Sequence, residues 1–233
     1  MVYFAGDIHG RPNEICQFCD DNKLSEDDIL VLLGDVGANY YGDSRDKRVK
    51  QKLNGIKPTV LCIHGNHEQR PENFLTYELT DWNGGKVWFE PEYPSLLFAK
   101  DGEIYKMGKY RYLVIGGAYS VDKYYRLARG YGWWRDEQPS PAVKAYVEQQ
   151  VQDNKFDIIL SHTCPFKYEP VEAFLPMIDQ DSVDDSTERW LDTIEEKANY
   201  KAWFCGHWHI EKRIDKMHFL YHNVESVDNI RKG

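Results

Sequence analysis

The sequence predicts an α/β protein in which two sheets pack against each other, and three observations carry that expectation. Five short apolar runs each stop in a polar segment rich in Gly, Asp, Asn and His; several polar segments have helical spacing; and residues 86–115 hold four further strand-like runs separated only by turns. Short runs of β-branched and aliphatic residues suit strands covered on both faces, and in open α/β sheets ligands gather beyond the carboxyl ends of such strands.

Taken in order, Val2-Tyr3-Phe4-Ala5 runs into Gly6-Asp7-Ile8-His9-Gly10. Arg11-Pro12-Asn13-Glu14 then opens a short helix carrying Ile15, Cys16, Phe18 and Cys19, with Pro near its start, where a missing N–H costs nothing. Residues 29–33 form the second run and end in Gly34-Asp35. A polar stretch with Val49, Leu53 and Ile56 at helical spacing predicts a surface helix over 45–56, closed by Asn54-Gly55 and Pro58. The third run, 59–63, stops after His64 in Gly65-Asn66-His67-Glu68. Residues 86–89, 96–99, 104–107 and 110–115 read as strands divided by Gly and Pro, a second and mainly antiparallel sheet packed on the first.

Residues 119–135 interleave aromatics with arginines, a composition that suits a substrate-reading cap, a satellite cluster or a homodimer contact. Ser140-Pro141 marks a helix start, and Val143, Tyr146, Val147 and Val151 share one face, a helix expected to return the chain to the first sheet. The fourth run, 156–160, delivers Ser161-His162, and an irregular acidic loop follows through Asp181. Asp185 and Glu188 have capping-box spacing ahead of Trp190, Leu191, Ile194 and Ala198. The fifth run, 202–205, ends in Gly206-His207-Trp208-His209. Placed on one sheet, the five endings bring Asp7, His9, Asp35, Asn66, His162, His207 and His209 to one rim. The tail after Tyr221 is polar and carries no readable pattern.

At 233 residues, without repeats or an evident linker, the chain reads as a single domain over 1–233, with a cap or insertion at about 119–139 and 163–182. A core of this size needs no staples. Five scattered cysteines, an odd number, predict reduced thiols, and Cys16-Gln17-Phe18-Cys19 reads as a core-facing helical pair rather than a zinc or redox motif. No run approaches the roughly 20 apolar residues that span a bilayer, and the first strand begins without a basic leader, so a cytoplasmic protein with no membrane partner is expected. A net charge of -9 argues against nucleic acid as a partner, because that binding is driven by phosphate neutralisation. The local field can have the opposite sign: two divalent cations offset by Asp7 and Asp35 leave a site net positive, which suits a phosphate ester.

The ordered set Asp-x-His at 7–9, Gly-Asp at 34–35, Gly-Asn-His-Glu at 65–68, a lone His162 and Gly-His-x-His at 206–209 resembles the calcineurin-like metallophosphoesterase superfamily. That resemblance implies a four-layer αββα sandwich, two mixed sheets flanked by helices with a metal site at the carboxyl ends of the strands. It implies two divalent cations: Asp7, His9 and His209 resemble the ligands of one, Asn66, His162 and His207 those of the other, and Asp35 the carboxylate that bridges them. A carboxylate has the spare lone pairs for bridging and an imidazole does not. The mixed nitrogen and oxygen set suits Mn, Fe or Zn better than Ca. The expected chemistry is attack on phosphorus by a metal-bridging hydroxide, with His67 protonating the leaving oxygen and Glu68 accepting a hydrogen bond from His67 or a ligand His.

One departure bears on specificity. Phosphoprotein phosphatases of this superfamily carry Gly-Asp-x-x-Asp-Arg-Gly, whereas Gly34-Asp35 is followed here by Val36-Gly37-Ala38-Asn39-Tyr40-Tyr41-Gly42. The missing Asp-Arg pair argues against a protein phosphatase and leaves Arg11, Asn39, Tyr41 and Arg126 as candidate substrate contacts. The expected function is a metal-dependent phosphoesterase acting on a small phosphate ester, with a phosphodiesterase or nucleotide-polyphosphate hydrolase as alternatives to a phosphomonoesterase. A non-catalytic scaffold on the same fold would be marked by lost ligands, and all seven candidates stand together with His67.

Overall fold

The computed structural model describes residues 1–232. Strands β1 (Val2–Ala5), β2 (Ile29–Leu32) and β3 (Thr59–Cys62) run parallel, linked by helices α1 (Asn13–Asp21) and α2 (Ser44–Asn54). An antiparallel meander of β4 (Glu78–Trp82), β5 (Gly85–Phe89) and β6 (Leu96–Ala99) extends this sheet, with β6 parallel to β3. The chain then leaves for a second sheet through the hairpin of β7 (Ile104–Met107) and β8 (Tyr110–Ile115). Helices α3 (Lys123–Arg129) and α4 (Pro141–Asp153) lead to β9 (Ile158–Ser161), and α5 (Ser186–Lys197) leads to β10 (Ala202–Cys205); β8, β9 and β10 are parallel. Strands β11 (Lys212–Ile214) and β12 (Met217–Phe219) complete the second sheet, and β13 (Val224–Ser226) returns to the first, antiparallel to β1. The sheets have seven and six strands in the orders β13-β1-β2-β3-β6-β5-β4 and β11-β12-β10-β9-β8-β7.

Alternation along the buried strands builds the layers. On β2, Leu30 and Leu32 face outward onto Ile15, Cys19, Val49 and Leu53, residues of α1 and α2. Val31 and Leu33 face inward and share a core with Leu61, Ile63, Tyr112, Val114, Leu160 and Phe204, which joins the two sheets. Beyond the second sheet, Val147 of α4 and Trp190, Leu191 and Ile194 of α5 pack on Leu113, Ile159 and Trp203. Four layers result: helices, sheet, sheet, helices. Period-two side chains buried on both faces require cover on both sides, and this stacking supplies it.

Three expectations need correction. The five ligand-bearing strand ends do not lie on one sheet: β1, β2 and β3 belong to the first and β9 and β10 to the second, while β5 and β6, assigned to the second sheet from sequence, lie in the first. A strand buried on both faces looks the same in either sheet, and the β7–β8 hairpin that switches sheets has no distinguishing composition. The capping box at α5 does not form. Asp185 makes no side-chain cap and instead pairs with Arg189 at 2.7 Å, and Glu188 is buried. Beyond Tyr221, where the sequence carries no readable pattern, residues 224–226 form β13 at the sheet edge.

Other elements follow the sequence closely. Ser140 accepts from Val143 N at 3.3 Å and caps α4, with Pro141 in its first turn. Cys19 is buried against the first sheet with Cys16 partly covered, both unbridged, and burial pushes the Cys19 thiol up to about 12. Among the described residues no helix is long and apolar enough to cross a membrane.

Candidate metal centre

Stacking the sheets with their parallel strands aligned brings both sets of carboxyl ends to one edge, and there the loops after β1, β2, β3, β9 and β10 converge. The seven donors meet although they are scattered over two hundred residues. His9 Nε2 lies 2.9 Å from His209 Nε2, and His209 Nε2 lies 3.2 Å from Asp7 Oδ2. On the other side, Asn66 Oδ1 lies 2.8 Å from His162 Nε2 and 3.1 Å from His207 Nδ1. Asp35 stands between, with Oδ1 3.5 Å from His162 Nε2 and Oδ2 3.9 Å from His9 Nε2. Each oxygen of one carboxylate faces a different group of donors.

The local backbone shows what this convergence requires. His9, Asp35, His207 and His209 all have positive φ, between 44° and 65°, a region that side-chain-bearing residues adopt at a cost. Four of the seven such residues among the described ones are therefore candidate ligands, so the strain is concentrated at this edge. Two motif glycines are required by close approach. A Cβ on Gly34 would lie 2.1 Å from His162 Nδ1, and one on Gly206 would lie 2.2 Å from Asp7 Oδ1.

The donor set fits cations. His162 Nδ1 donates to Leu33 O at 2.8 Å, which fixes the tautomer and leaves Nε2 with a lone pair. Asn66 Nδ2 donates to Ser120 Oγ at 2.9 Å, so its Oδ1 points at that lone pair. With His162 neutral, two acceptors face each other here at 2.8 Å, an arrangement that a cation between them would relieve. Burial, helped by the neighbouring His162, holds His207 well below the ordinary imidazole value, in the neutral form that binds metal. Burial pushes Asp35 up, but His162, His67 and His9 more than offset it and hold the carboxyl low. His209 is raised, first by its hydrogen bond to Asp7.

His67 sits beside these donors, its N–H donating to Asp35 Oδ1 at 2.8 Å and its Nε2 3.8 Å from Asp122 Oδ1. Burial lowers it, Asp35 and Asp122 raise it, and Arg126 opposes them. Sequence reading missed Asp122. It precedes α3 by one residue, 55 positions from His67, and only the packing of that short helix against the rim brings the two together. Arg126 is buried on the same helix, with Nη1 3.9 Å from Asp122 and without a hydrogen-bond partner, and its guanidinium 5.3 Å from the Tyr40 ring. Asp122 thus brings a carboxylate to His67 from the start of α3, while Arg126 is buried and lines neither cavity beside the centre. Ser120, which holds Asn66, was also invisible in the sequence.

The other candidates separate. Arg11 is exposed and lines a cavity of about 530 Å³ together with Asp7, His9 and His209. Asn39 is buried, its Oδ1 accepts from Tyr77 OH at 2.9 Å, and it lines neither cavity beside the centre. Tyr41 stands at the surface. It is half-exposed under the Arg45 guanidinium, 3.4 Å from its ring, and also lines neither cavity. Glu68 accepts from Gly65 N at 3.2 Å and Val36 N at 3.4 Å, so it ties two ligand loops together through backbone rather than through a histidine. Burial, then Asp35, pushes it up to about 8.

The family model for calcineurin-like phosphoesterases matches residues 1–211. No curated relative matches the sequence. Among solved structures, the chain is similar to TT1561 of Thermus thermophilus, with a TM-score of 0.54 at 12% identity, covering 94% of this chain and 87% of that one. It is likewise similar to the phosphopantetheinyl hydrolase of Mycobacterium tuberculosis, with a TM-score of 0.52 at 13% identity and the same coverage, 94% and 87%. At such identities these likenesses concern the fold.

Proposed function

The chain belongs to the calcineurin-like phosphoesterase family, whose members carry out metal-dependent phosphoester hydrolysis, and on that premise we propose that it hydrolyses a small phosphate ester at a two-cation centre. The observation that carries this reading is the division of Asp35, one oxygen toward His9 and the other toward His162, between two clusters of lone pairs. Asp7, His9 and His209 would hold one cation, Asn66, His162 and His207 the other, and Asp35 both. Mn, Fe or Zn suits this mixture of imidazole, carboxylate and amide oxygen. When bound, the cations supply the Lewis acidity that makes water a nucleophile at neutral pH and neutralise charge on the phosphoryl oxygens.

The protein's own groups do the rest. His67 gives a proton to the leaving oxygen, and Asp122 orients its ring. Arg11 supplies an exposed guanidinium in the smaller cavity, and Arg126 a buried one beside Asp122 with an Nη1 that lacks a partner. Ser120 fixes the Asn66 amide so that oxygen and not nitrogen faces the centre.

The test is metal-supplemented hydrolysis of a panel of phosphomonoesters, phosphodiesters, dinucleoside polyphosphates and phosphopeptides. Turnover that depends on Mn, Fe or Zn supports the reading, and preference within the panel assigns the ester class. Metal-loaded protein inert to every ester would refute it and favour a binding scaffold.

A further inference from the structure

The centre opens into two cavities of different chemistry. The smaller, about 530 Å³, is walled by Arg11, Glu14, His222 and Asn223. The larger, about 730 Å³, contains His67 and runs under the loop of 163–185. Much of its wall is apolar: Phe166, Val171, Phe174, Leu175, Ile178 and Trp208 line it, with Phe174 stacked on Trp208 at 5.7 Å between ring centroids. Val171 and Leu175 are 69% and 52% exposed, apolar side chains left in water beside a reaction centre.

An in-line displacement sends the leaving group away from the nucleophile and toward the acid. His67 lines the larger cavity only, so the departing fragment extends into it. The charged groups there are carboxylates, Glu169, Asp181, Asp185 and Glu188, and Arg189 is already paired with Asp185. Arg189 is the one Lys or Arg among the described lining residues, so the wall offers a polyphosphate or a nucleic acid no unpaired cation. A cleft of this size lies within the usual range for ligand sites, roughly 300 to 1,000 Å³, and exceeds the needs of a short alkyl group.

We infer that the substrate is a phosphate ester whose leaving group is an extended, uncharged apolar chain, seated along the cleft between the 163–185 loop and Trp208. This rests on the hydrolase reading above and adds to it the class of substrate. Each methylene buried on the wall contributes to binding in proportion to the area removed from water.

The experiment uses 4-methyl-, 4-propyl- and 4-hexylphenyl phosphates and their methyl diesters, all kept below micelle formation, with the metal-loaded full chain. Alkylation at this position leaves the acidity of the departing phenol nearly constant, so chain length reports burial and not leaving-group chemistry. The expected result is kcat/KM rising about two- to fourfold per methylene. Leu175→Ser and Val171→Ser should flatten that slope, while Leu79→Ser, an exposed leucine on β4 outside the cleft, should keep it. Hydrolysis with a flat or falling series, or a stronger preference for a dinucleoside polyphosphate than for the hexyl ester, would overturn the inference and leave the hydrolase reading standing. Absence of hydrolysis for every member of both ester series and for the dinucleoside polyphosphate and a phosphopeptide would overturn both.

Discussion

Replacing Glu188 by Gln should make the protein more stable at alkaline pH and leave it unchanged in acid. Glu188 lies in the first turn of α5, 4% exposed, with one carboxylate oxygen lacking a partner. Burial pushes it from its ordinary 4.5 up to about 7 against the pull of the Thr163 hydroxyl, and Asp185 and Asp184 add to the rise. Glu169 faces it across the cleft and is itself pushed to about 7, by burial and then by Glu188, while Lys144 is the nearby cation. Between pH 4.5 and about 7 the folded protein keeps a proton that the unfolded chain has released, so stability falls as pH rises through that window. At about 1.4 kcal/mol per unit, the loss from Glu188 is about 3 kcal/mol. The substituted amide does not titrate and escapes this loss, and Glu169, relieved of its neighbour, moves the same way. Urea unfolding at about pH 8.5 should therefore show the Glu188→Gln midpoint higher by about 1 to 3 M, given slopes of about 1 to 3 kcal/mol per M for proteins of this kind, and at about pH 4 the midpoints should coincide. Coincident midpoints at both pH values, or an equal offset at both, would refute the burial argument.

Arg70→Met should destabilise by about 3 to 5 kcal/mol in equilibrium unfolding, because it strands Asp101, whose buried partner at 2.6 Å is Arg70 Nη1; a loss under about 1 kcal/mol would contradict it. Gly206→Ala drives a Cβ into Asp7 Oδ1 and should weaken metal binding about 10- to 100-fold by calorimetric titration, whereas unchanged affinity would show that the loop can shift. His67→Ala should keep its metal and lose about 10²- to 10⁴-fold in turnover, while Asp35→Ala should lose both cations; equal metal loss by elemental analysis in the two variants would contradict the division of roles.

The meeting of these donors was legible in the sequence because each candidate ligand follows a run too apolar to be anything but a buried strand, as at Leu61-Cys62-Ile63 before Gly65-Asn66. Which sheet each strand joins was not legible, since β2 and β9 are both buried on two faces and only the hairpin at 104–115 decides it. The spacing of Asp185 and Glu188 misled because it satisfies two patterns: Arg189, four residues after Asp185, competes for the same carboxylate and wins it. Asn39 and Tyr41 follow the candidate ligand Asp35 in sequence, and their side-chain partners, Tyr77 and Arg45, could not be read from that position. Asp122 belongs to the opposite case, a group whose partner is chosen by packing across space and leaves no trace in local pattern.

Crystals of the protein soaked in Mn and measured for anomalous scattering test the central claim most directly. The account predicts two peaks at the shared edge of the sheets, one among Asp7, His9 and His209, the other among Asn66, His162 and His207, with Asp35 touching both. A solitary peak that leaves Asp35 bound on one side only, or manganese found elsewhere with these donors unengaged, would contradict it.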